Sequence, residues 1–404
     1  MAAIFEGVKV IDFTAHVSGP ACTAALADLG AEVIKIEPPV TGEATRALYP
    51  RLDGQALTYL WNNRGKKSVT IDMKDPEGIS AVKELIKTAD VVVENFRPGV
   101  MKKFGLDYDE VAKFAPGVVY CSISAFGQYG PDAMGAGFDI LVQARSGIMD
   151  LTGEPDGTPT KCGIVLADMV ASKDTFGAIA AALYHKAKTG EGQYVDVSML
   201  DCVASMNLYL DHALMLGRDP QRQGRHHLSL APYGIFEGKN SQFIVLAAFT
   251  DKHWAALCRD ILNRPELVDD PRFVTGADRI EHKLEAAEYI EDWLKRFDDI
   301  AEAISIISAN GLVASKISST REAAQDPQLI AHGGITEIEA MPSMTNTTSF
   351  KARGPWIKFS KTPAVMRRAS ELGEYNHQVL ERAGLSPEQV DAMQERWRQA
   401  RAKR

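Results

Sequence analysis

Asp168 is the residue in this chain whose type and position are best suited to chemistry. It lies in GIVLADMVAS, just before the apolar, alanine-rich stretch DTFGAIAAALYHKAKTG. The pattern predicts a helix, and a carboxylate at the amino end of a helix stays ionised because unpaired N–H groups and the helix dipole favour negative charge. An ionised carboxylate with donors beside it can attack an activated acyl group. The alternative from this pattern alone is an N-capping aspartate with a structural role.

Composition narrows the class of protein in which such a site would operate. The chain has 404 residues, 45% of them hydrophobic, and a formal net charge of −8. A chain of this length can bury a large core and is expected to make two domains. Without an Arg/Lys stripe, nucleic acid is not an expected partner. No apolar run reaches the roughly 18 residues that span a bilayer, and the amino terminus has no signal-peptide pattern, so we expect a cytoplasmic enzyme without a membrane partner.

The cysteines and short motifs indicate chemistry without a metal or organic cofactor. The five cysteines are scattered along the chain, and no CxxC pair, HExxH or P-loop is present. Neither a disulfide framework nor a zinc site is therefore predicted.

Alternating strand and helix patterns surround Asp168 and predict the fold. Strands are predicted at VKVIDF, EVIKIE, KSVTIDM, DVVVENF and VVYCSISAF, with helices at PACTAALADLG and DPEGISAVKELIKTA between them. This alternation predicts a mixed α/β fold with a doubly wound, mostly parallel, Rossmann-like sheet. The turn after the first strand is TAHVSGP rather than GxGxxG, so a dinucleotide site is not predicted.

Beyond residue 205 the pattern changes. DCVASMNLYLDHALMLG predicts one helix, GRDPQRQGRHHLSLAP a linker or an active-site loop, and the following short strands and helices a smaller α+β domain. GPWIKFS is sheet-like, and SPEQVDAMQERWRQARAKR predicts a charged amphipathic helix. The predicted organisation is 1–205 for the first part of a large domain, 206–232 for a linker, 233–319 for the small domain, and 320–404 for a linker and a return to the large domain.

An ordered set of motifs gives the chain a resemblance to a known family. They include VKVIDFTAHVSGPACTAALADLGAEVIKIEPP, NNRGKKSVTIDMKDPEG, ADVVVENFRPGVMKKFGLDY, GFDILVQARSG, LADMV and TGEGQYVDVSMLD. In order and spacing the chain resembles the class III CoA-transferases of the formyl-CoA and carnitine CoA-transferase type. The resemblance implies transfer of CoA from an acyl-CoA to a free carboxylic acid, with Asp168 as the nucleophile. It also implies an interlocked homodimer in which the tail returns to the first domain.

Phe138 and Asp139 distinguish two branches of this superfamily. The related α-methylacyl-CoA racemases carry a catalytic histidine where this chain has Phe138, and racemisation needs proton transfer on both sides of a carbon. Phe138 cannot transfer protons, which favours the transferase. Asp139 is interpreted as a catalytic hydrogen-bond acceptor that orients the site, with a helix cap as the alternative.

The resemblance also implies where CoA and substrate bind. In the first turn, His16, Val17 and Ser18 would lie against the thiol end of CoA and supply N–H groups to an oxyanion; Val17 stands where the formyl branch has glutamine. Pro38 and Ala136 replace basic residues of that branch. Lysine and arginine suit the phosphates of CoA. The further residues expected to bind CoA or substrate are Asp72, Met73, Lys74, Asn95, Phe96, Arg97, Lys102, Lys103, Ala136, Gly137 and Phe138.

Two other functions remain open from the sequence: a racemase or isomerase of the same fold, and a non-catalytic acyl-CoA-binding protein. The sequence does not specify the acyl donor, the acid acceptor, or a catalytic part for His16 or the 224–233 loop.

Overall fold

The computed structural model describes residues 3–402 and contains short strands connected mostly by helices. The strands in chain order are β1 (Lys9–Asp12), β2 (Glu32–Glu37), β3 (Arg51–Leu52), β4 (Gln55–Ala56), β5 (Lys67–Thr70), β6 (Val91–Glu94), β7 (Val119–Ser124), β8 (Tyr194–Ser198), β9 (Tyr233–Glu237), β10 (Phe243–Ala247), β11 (Val313–Lys316), β12 (Ile335–Glu339) and β13 (Ser349–Arg353).

Helices range from single turns to the 24-residue helix that begins just before Asp168. In chain order they are α1 (Ser18–Asp28), α2 (Leu57–Asn62), α3 (Pro76–Lys87), α4 (Val100–Lys103), α5 (Tyr108–Val111), α6 (Asp139–Arg145), α7 (Ile148–Leu151), α8 (Leu166–Thr189), α9 (Met199–Met206), α10 (Leu210–Leu216), α11 (Asp251–Ala256), α12 (Gly276–Glu281), α13 (Lys283–Leu294), α14 (Ile300–Ala309), α15 (Thr320–Ala323), α16 (Pro327–Ala331), α17 (Asn376–Leu380) and α18 (Pro387–Ala402).

Six strands form one parallel sheet in the order β5-β2-β1-β6-β7-β8. The mixed α/β architecture with a parallel sheet, predicted from the alternating pattern, is confirmed. From β1 the chain adds β2 and then β5 toward one edge of the sheet, and from β6 it adds β7 and β8 toward the other edge. Strand order therefore reverses between β1 and β6. Open α/β sheets bind ligands in the crevice at the carboxyl ends of the strands beside such a reversal, so the loops after β1 and β6 are the first place to look for a site.

The chain divides into two compact units. The first comprises Met1–Gly147, Cys162–Leu210 and Pro327–Arg404, and the second comprises Ile148–Lys161 and Asp211–Asp326. Two stretches therefore belong to a different unit from the one that the sequence predicted. Ile148–Lys161, assigned to the large domain, groups with the second unit, and so does most of the 206–232 segment, which was predicted as a linker and contains α10.

The first unit buries one face of its parallel sheet under helices from distant parts of the chain. Val82 and Leu85 of α3 and Trp397 of α18 belong to one core with Ile11 and Val92 of the sheet. The indole N–H of Trp397 donates to Oδ2 of Asp75 at 2.6 Å. The carboxyl-terminal helix is thus part of the large unit; its predicted last two residues, 403–404, lie outside the described residues.

The second unit is built on an antiparallel sheet in the order β11-β10-β9. Helices α11, α13 and α14 pack against it around a core that contains Trp254, Phe273 and Trp293. Alternation along β10 explains the packing, since Ile244 and Leu246 are buried while Val245 between them is exposed.

Two predicted elements differ from the structure. The single helix predicted over DCVASMNLYLDHALMLG is divided into α9 and α10, because Asn207 turns the chain: its Oδ1 accepts the Tyr209 N–H at 3.2 Å and its Nδ2 donates to the Ser146 carbonyl at 3.1 Å. GPWIKFS is not a strand; Trp356 instead packs edge-on against Phe176, with ring centroids 6.3 Å apart.

Among residues 3–402, no helix combines the length and apolar character needed to cross a bilayer. The same part of the chain has no group of three or more His, Cys, Asp or Glu side chains placed to hold a metal ion, and none of its five cysteines forms a disulfide bond.

Candidate active site

The turn between β1 and α1 is tied to the loop after β6 across the reversal in strand order. The side chain of Asn95 pairs with the peptide of Ala15 in both directions: Oδ1 accepts its N–H, and Nδ2 donates to its carbonyl, each at 2.8 Å. Asn95 Nδ2 also lies 3.4 Å from the Ser18 hydroxyl oxygen. Asn95 therefore fixes the turn in which the sequence placed His16, Val17 and Ser18.

His16 has a left-handed backbone, with φ of 67°. A non-glycine residue adopts this conformation only when its surroundings hold it there. The His16 N–H donates to Glu43 Oε2 at 3.2 Å, and its carbonyl accepts from Asn62 Nδ2 at 3.1 Å. The conformation of the turn thus depends on Glu43 and Asn62, neither of which was predicted as a site residue.

Glu43 belongs to a buried charged cluster beneath the turn. Its carboxylate lies 3.5 Å from the Lys35 ammonium, which donates to the Thr14 carbonyl at 2.7 Å. Asp12 pairs with Lys66 at 2.9 Å. Burial alone would raise the pKa of Asp12, but the two lysine charges hold it well below its usual range. The signal in the sequence is Lys35 between two isoleucines inside the strand EVIKIE, because a buried charge needs partners.

Asp168 lies in the first turn of α8 as its third residue; the N-cap is Val165. The N-cap interpretation is therefore wrong, because the side chain of a residue inside the helix does not cap it. The hydroxyl and the backbone N–H of Ser18 act on the Asp168 carboxylate as hydrogen-bonding groups that lower its pKa. The amino-terminal turns of α1 and α8 consequently meet at this carboxylate, and both helix dipoles favour its ionised form.

The carboxylate of Asp168 titrates close to neutrality. Burial first, and then the nearby charge of Asp139, raise its pKa to about 6, while the hydrogen bonds from Ser18 oppose the rise. At pH 7 most enzyme molecules therefore have Asp168 in its ionised form, which a nucleophile requires. Burial also removes part of the water that would otherwise weaken its reactivity.

Asp139 begins α6 and contacts the beginning of α8. Its Oδ1 accepts the backbone N–H of Ala167 at 2.7 Å and that of Asp168 at 3.4 Å. Its Oδ2 accepts from Nε2 of the buried Gln143 at 2.6 Å, and Gln143 Oε1 accepts the Cys162 N–H at 2.9 Å. Asp139 therefore caps the helix that carries Asp168 rather than its own helix. Gln143, one helical turn further on, was not predicted.

A cavity of about 270 Å³ lies beside the turn that contains His16 and the segment before α6. The ring of Phe138, which is 64% exposed, packs edge-on against the His16 ring with centroids 6.4 Å apart. Gly137 lies so close to the strand end that an added Cβ would meet the Ala125 Cβ at 2.2 Å; Ala136, beside it, is exposed. The cavity is lined by Ala15, His16, Asn95, Phe96, Arg97, Pro98, Ser124, Ala125, Gly135, Gly137 and Phe138.

A second cavity, of about 280 Å³, shares Phe96 with the first and extends along the carboxyl ends of β2 and β5. It brings Asp72, Met73 and Lys74 together with Phe96, as the sequence grouped them. The predicted residues Lys102 and Lys103 lie elsewhere, exposed on α4, and Arg97 and Lys102 line a separate pocket. The residues lining the second cavity are Phe13, Ile36, Glu37, Pro38, Pro39, Ile71, Asp72, Met73, Lys74, Phe96, Phe104, Trp397 and Ala400.

Comparisons with known proteins agree with this architecture. The solved structure of a CAIB/BAIF family protein from Brucella suis is 31% identical and superposes with a TM-score of 0.83, covering 95% of this chain and 100% of that one. A succinate–glutarate CoA-transferase from Agrobacterium fabrum is 38% identical over 93% of this chain and 94% of its own length.

Two further relatives are an acetyl-CoA:oxalate CoA-transferase from Acetobacter aceti, 40% identical over 82% of this chain and 86% of its own, and the human succinyl-CoA:glutarate CoA-transferase, 33% identical over 93% and 85%. The sequence profile of CoA-transferase family III matches residues 5–376. This chain therefore belongs to CoA-transferase family III.

Proposed function

We propose that this enzyme moves CoA between an acyl-CoA and a free carboxylic acid through covalent intermediates on Asp168. The observation that carries the proposal is a half-buried carboxylate in the first turn of α8, where Asp139 accepts the Ala167 N–H and Ser18 at the start of α1 favours the ionised form of Asp168. A metal or organic cofactor has no part in the proposed reaction.

The first half-reaction begins with an Asp168 oxygen attacking the thioester carbonyl carbon. The C–S bond breaks, CoA leaves as a thiolate, and a mixed anhydride remains. The thiolate then attacks the aspartyl carbonyl carbon and releases the first acid as a carboxylate. Asp168 is left as an aspartyl-CoA thioester. N–H groups at the start of α1, including that of Ser18, are positioned to stabilise the oxyanion that develops near Asp168.

The second half-reaction reverses these steps with the acceptor acid. Its carboxylate attacks the aspartyl carbonyl and expels the CoA thiolate, forming a new anhydride. The thiolate attacks the acceptor's carbonyl, which gives the new acyl-CoA and frees the Asp168 carboxylate. No proton is gained or lost overall, and the thioester energy is kept only if water stays away from both intermediates.

CoA binding is proposed along the cavity that contains Asp72, Met73, Lys74 and Phe96. The relatives named above act, by their names, on the dicarboxylic acids succinate, glutarate and oxalate, and the Acetobacter aceti enzyme also acts on acetyl-CoA, whose acid is monocarboxylic. On that basis we propose that the acceptor acid here is dicarboxylic. The cytoplasmic location remains a prediction from the sequence.

A homodimer is part of the proposal. Large apolar side chains are exposed close to the site within the first unit, on α6 and in the segment before α8: Ile140, Leu141, Ile164 and Val165. Clustered exposed apolar groups of this kind are typical of an interface. The interlocked form remains a prediction from the family resemblance.

One observation keeps the racemase alternative testable. Phe138 still excludes a base at its own position, but the His16 imidazole lies against it and lines the same cavity. An imidazole and a carboxylate near one acyl group could in principle exchange an α-proton.

Replacing Asp168 by asparagine tests the transferase proposal. The change is nearly isosteric, so the fold and the binding of free CoA should remain while thioester exchange is lost. Exchange near the wild-type rate would remove Asp168 from the mechanism. Loss of CoA binding together with activity would mean that Asp168 is structural.

A further inference from the structure

The carboxyl-terminal helix α18 forms one wall of the cavity of about 280 Å³ in the first unit. Trp397 and Ala400 of this helix line the cavity together with Phe96 and Phe104. Trp397 is buried in the sheet core, whereas Ala400 is exposed and can therefore contact a ligand in the cavity. The helix lies beyond residues 5–376, the range that the family profile matches. A part for α18 in the site therefore does not follow from membership of the family.

Two side chains of α18 hold the ends of the loop between β5 and α3. Gln394 bonds twice to Thr70, the last residue of β5: its Nε2 donates to the Thr70 carbonyl at 3.0 Å, and its Oε1 accepts from the Thr70 hydroxyl at 2.7 Å. At the other end of the loop, Trp397 Nε1 donates to Asp75 Oδ2 at 2.6 Å. The residues between these two anchors, 71–74, all line the cavity. The position of this wall of the cavity thus depends on α18.

The two cavities determine which end of CoA reaches α18. The proposed transfer requires the CoA sulfur to lie at Asp168, on which Ser18 acts, and His16 of the same turn lines the 270 Å³ cavity. Phe96 lines both cavities, so a CoA molecule that begins at Asp168 and passes Phe96 has its nucleotide end in the 280 Å³ cavity. Aromatic and proline side chains form much of that cavity, and aromatic walls suit the flat faces of an adenine ring.

We propose that α18 is part of the CoA site, with Ala400 as the wall against the nucleotide end of CoA and with Gln394 and Trp397 as positioning residues for the loop beside it. The inference rests on the proposed CoA transfer and adds residues from outside the range of the family profile. A small side chain is required at position 400, because a larger one would fill the volume that the nucleotide occupies. Since α18 contacts the nucleotide end and not the thioester, it should affect the binding of CoA and leave the chemical step at Asp168 intact.

The test places the same bulky side chain at two alanines of α18. Ala400→Phe should raise the Kd of free CoA, measured by calorimetry, and the KM of an acyl-CoA by about tenfold. Its kcat at saturating acyl-CoA should be retained, as expected when only uniform binding is lost. Ala400→Ser should weaken CoA far less, because serine is nearly as small as alanine. The control is Ala392→Phe, since Ala392 is also exposed on α18 but does not line the cavity.

A second pair of variants tests the positioning of the loop. Gln394→Ala removes both bonds to Thr70 and should raise the Kd of CoA by about fivefold, again with kcat retained. The matched control is Gln399→Ala, since Gln399 bonds only to the neighbouring Glu395 on the exposed face of the helix. A role for Gln394 in stability alone would lower the free energy of unfolding in urea and leave the Kd of CoA unchanged.

The outcomes separate this inference from the proposed function. A Kd of CoA that stays at the wild-type value in Ala400→Phe, or that rises equally in Ala392→Phe, would overturn the part of Ala400. A fall in kcat without a change in Kd would also contradict the proposal, because it would place the effect of α18 on the chemical step. Absence of thioester exchange in the wild type would refute the proposed function itself. Exchange in the wild type together with CoA affinity that neither Ala400→Phe nor Gln394→Ala alters would refute only this inference.

Discussion

Replacing Ser18 by alanine should move the acid limb of the pH profile to higher pH. The Ser18 hydroxyl donates to the Asp168 carboxylate and so favours its ionised form. Without that donor, Asp168 holds its proton more tightly. Since only the ionised form is a nucleophile, kcat/KM falls with pH as Asp168 becomes protonated, and in the variant this fall should begin at higher pH.

The size of the shift follows from the contacts. A hydrogen bond to a charged group contributes about 1.5–3 kcal/mol, and about 1.4 kcal/mol corresponds to one pH unit. The Ser18 backbone N–H remains and solvent reaches part of the carboxylate, so the lower end applies. The midpoint should rise from about 6 by about one pH unit. At pH 7 the ionised fraction would fall from about nine-tenths to about half.

The assay measures thioester exchange at low substrate concentration from about pH 5 to about pH 9, a range that brackets the titration of Asp168. Activity of Ser18→Ala should recover toward its plateau at alkaline pH. Ser172→Ala, with a serine lost one turn after Asp168, is the control and should keep the wild-type midpoint. A midpoint that stays in place or moves to lower pH would contradict the assignment of the acid limb to Asp168.

Four further outcomes are expected. Asp139→Asn should move the same midpoint to lower pH, because the charge that helps raise the pKa of Asp168 is removed; a shift upward in the same assay would refute this electrostatic role. Trp397→Ala should lower the free energy of unfolding by about 3–5 kcal/mol in urea titrations, since Trp397 is fully packed in the sheet core, whereas exposed Arg398→Ala should change it little. The wild type should not introduce deuterium from D2O at the α-carbon of a 2-methylacyl-CoA; rapid exchange, abolished by His16→Ala, would favour the racemase. Sedimentation at nanomolar concentration, with circular dichroism on the same sample, should detect no folded monomer if the dimer is interlocked.

Periodic patterns were enough to predict the central sheet. The strand VVVE, for example, is a nearly continuous apolar run, as a parallel strand buried on both faces must be. The ends of short helices and hairpins were harder to predict, because the residue at which each one ends depends on contacts of individual side chains. Asn207, for example, ends α9 by bonding to the Tyr209 N–H and the Ser146 carbonyl, and the second of these contacts joins residues 61 positions apart.

In the candidate site, too, local sequence predicted some features, whereas contacts between distant residues determine others. Asp168 could be placed at a helix amino end from local sequence, because the apolar helix that follows it is unmistakable. The support of His16 by Glu43, and of the start of α8 by Asp139, arises from contacts over 27 and 28 residues.

The central claim is that an oxygen of Asp168 takes part in covalent chemistry, and an isotope measurement tests it most directly. In the proposed sequence, one oxygen of the acceptor carboxylate remains on Asp168 when the new acyl-CoA leaves. The enzyme would be turned over with an acceptor acid labelled with heavy oxygen, in ordinary water, then digested with trypsin and analysed by mass spectrometry. Trypsin releases CGIVLADMVASK, in which Asp168 is the sole acidic side chain. The account predicts heavy oxygen in this peptide after turnover and none without acyl-CoA; continued turnover with an unlabelled Asp168 peptide would contradict it.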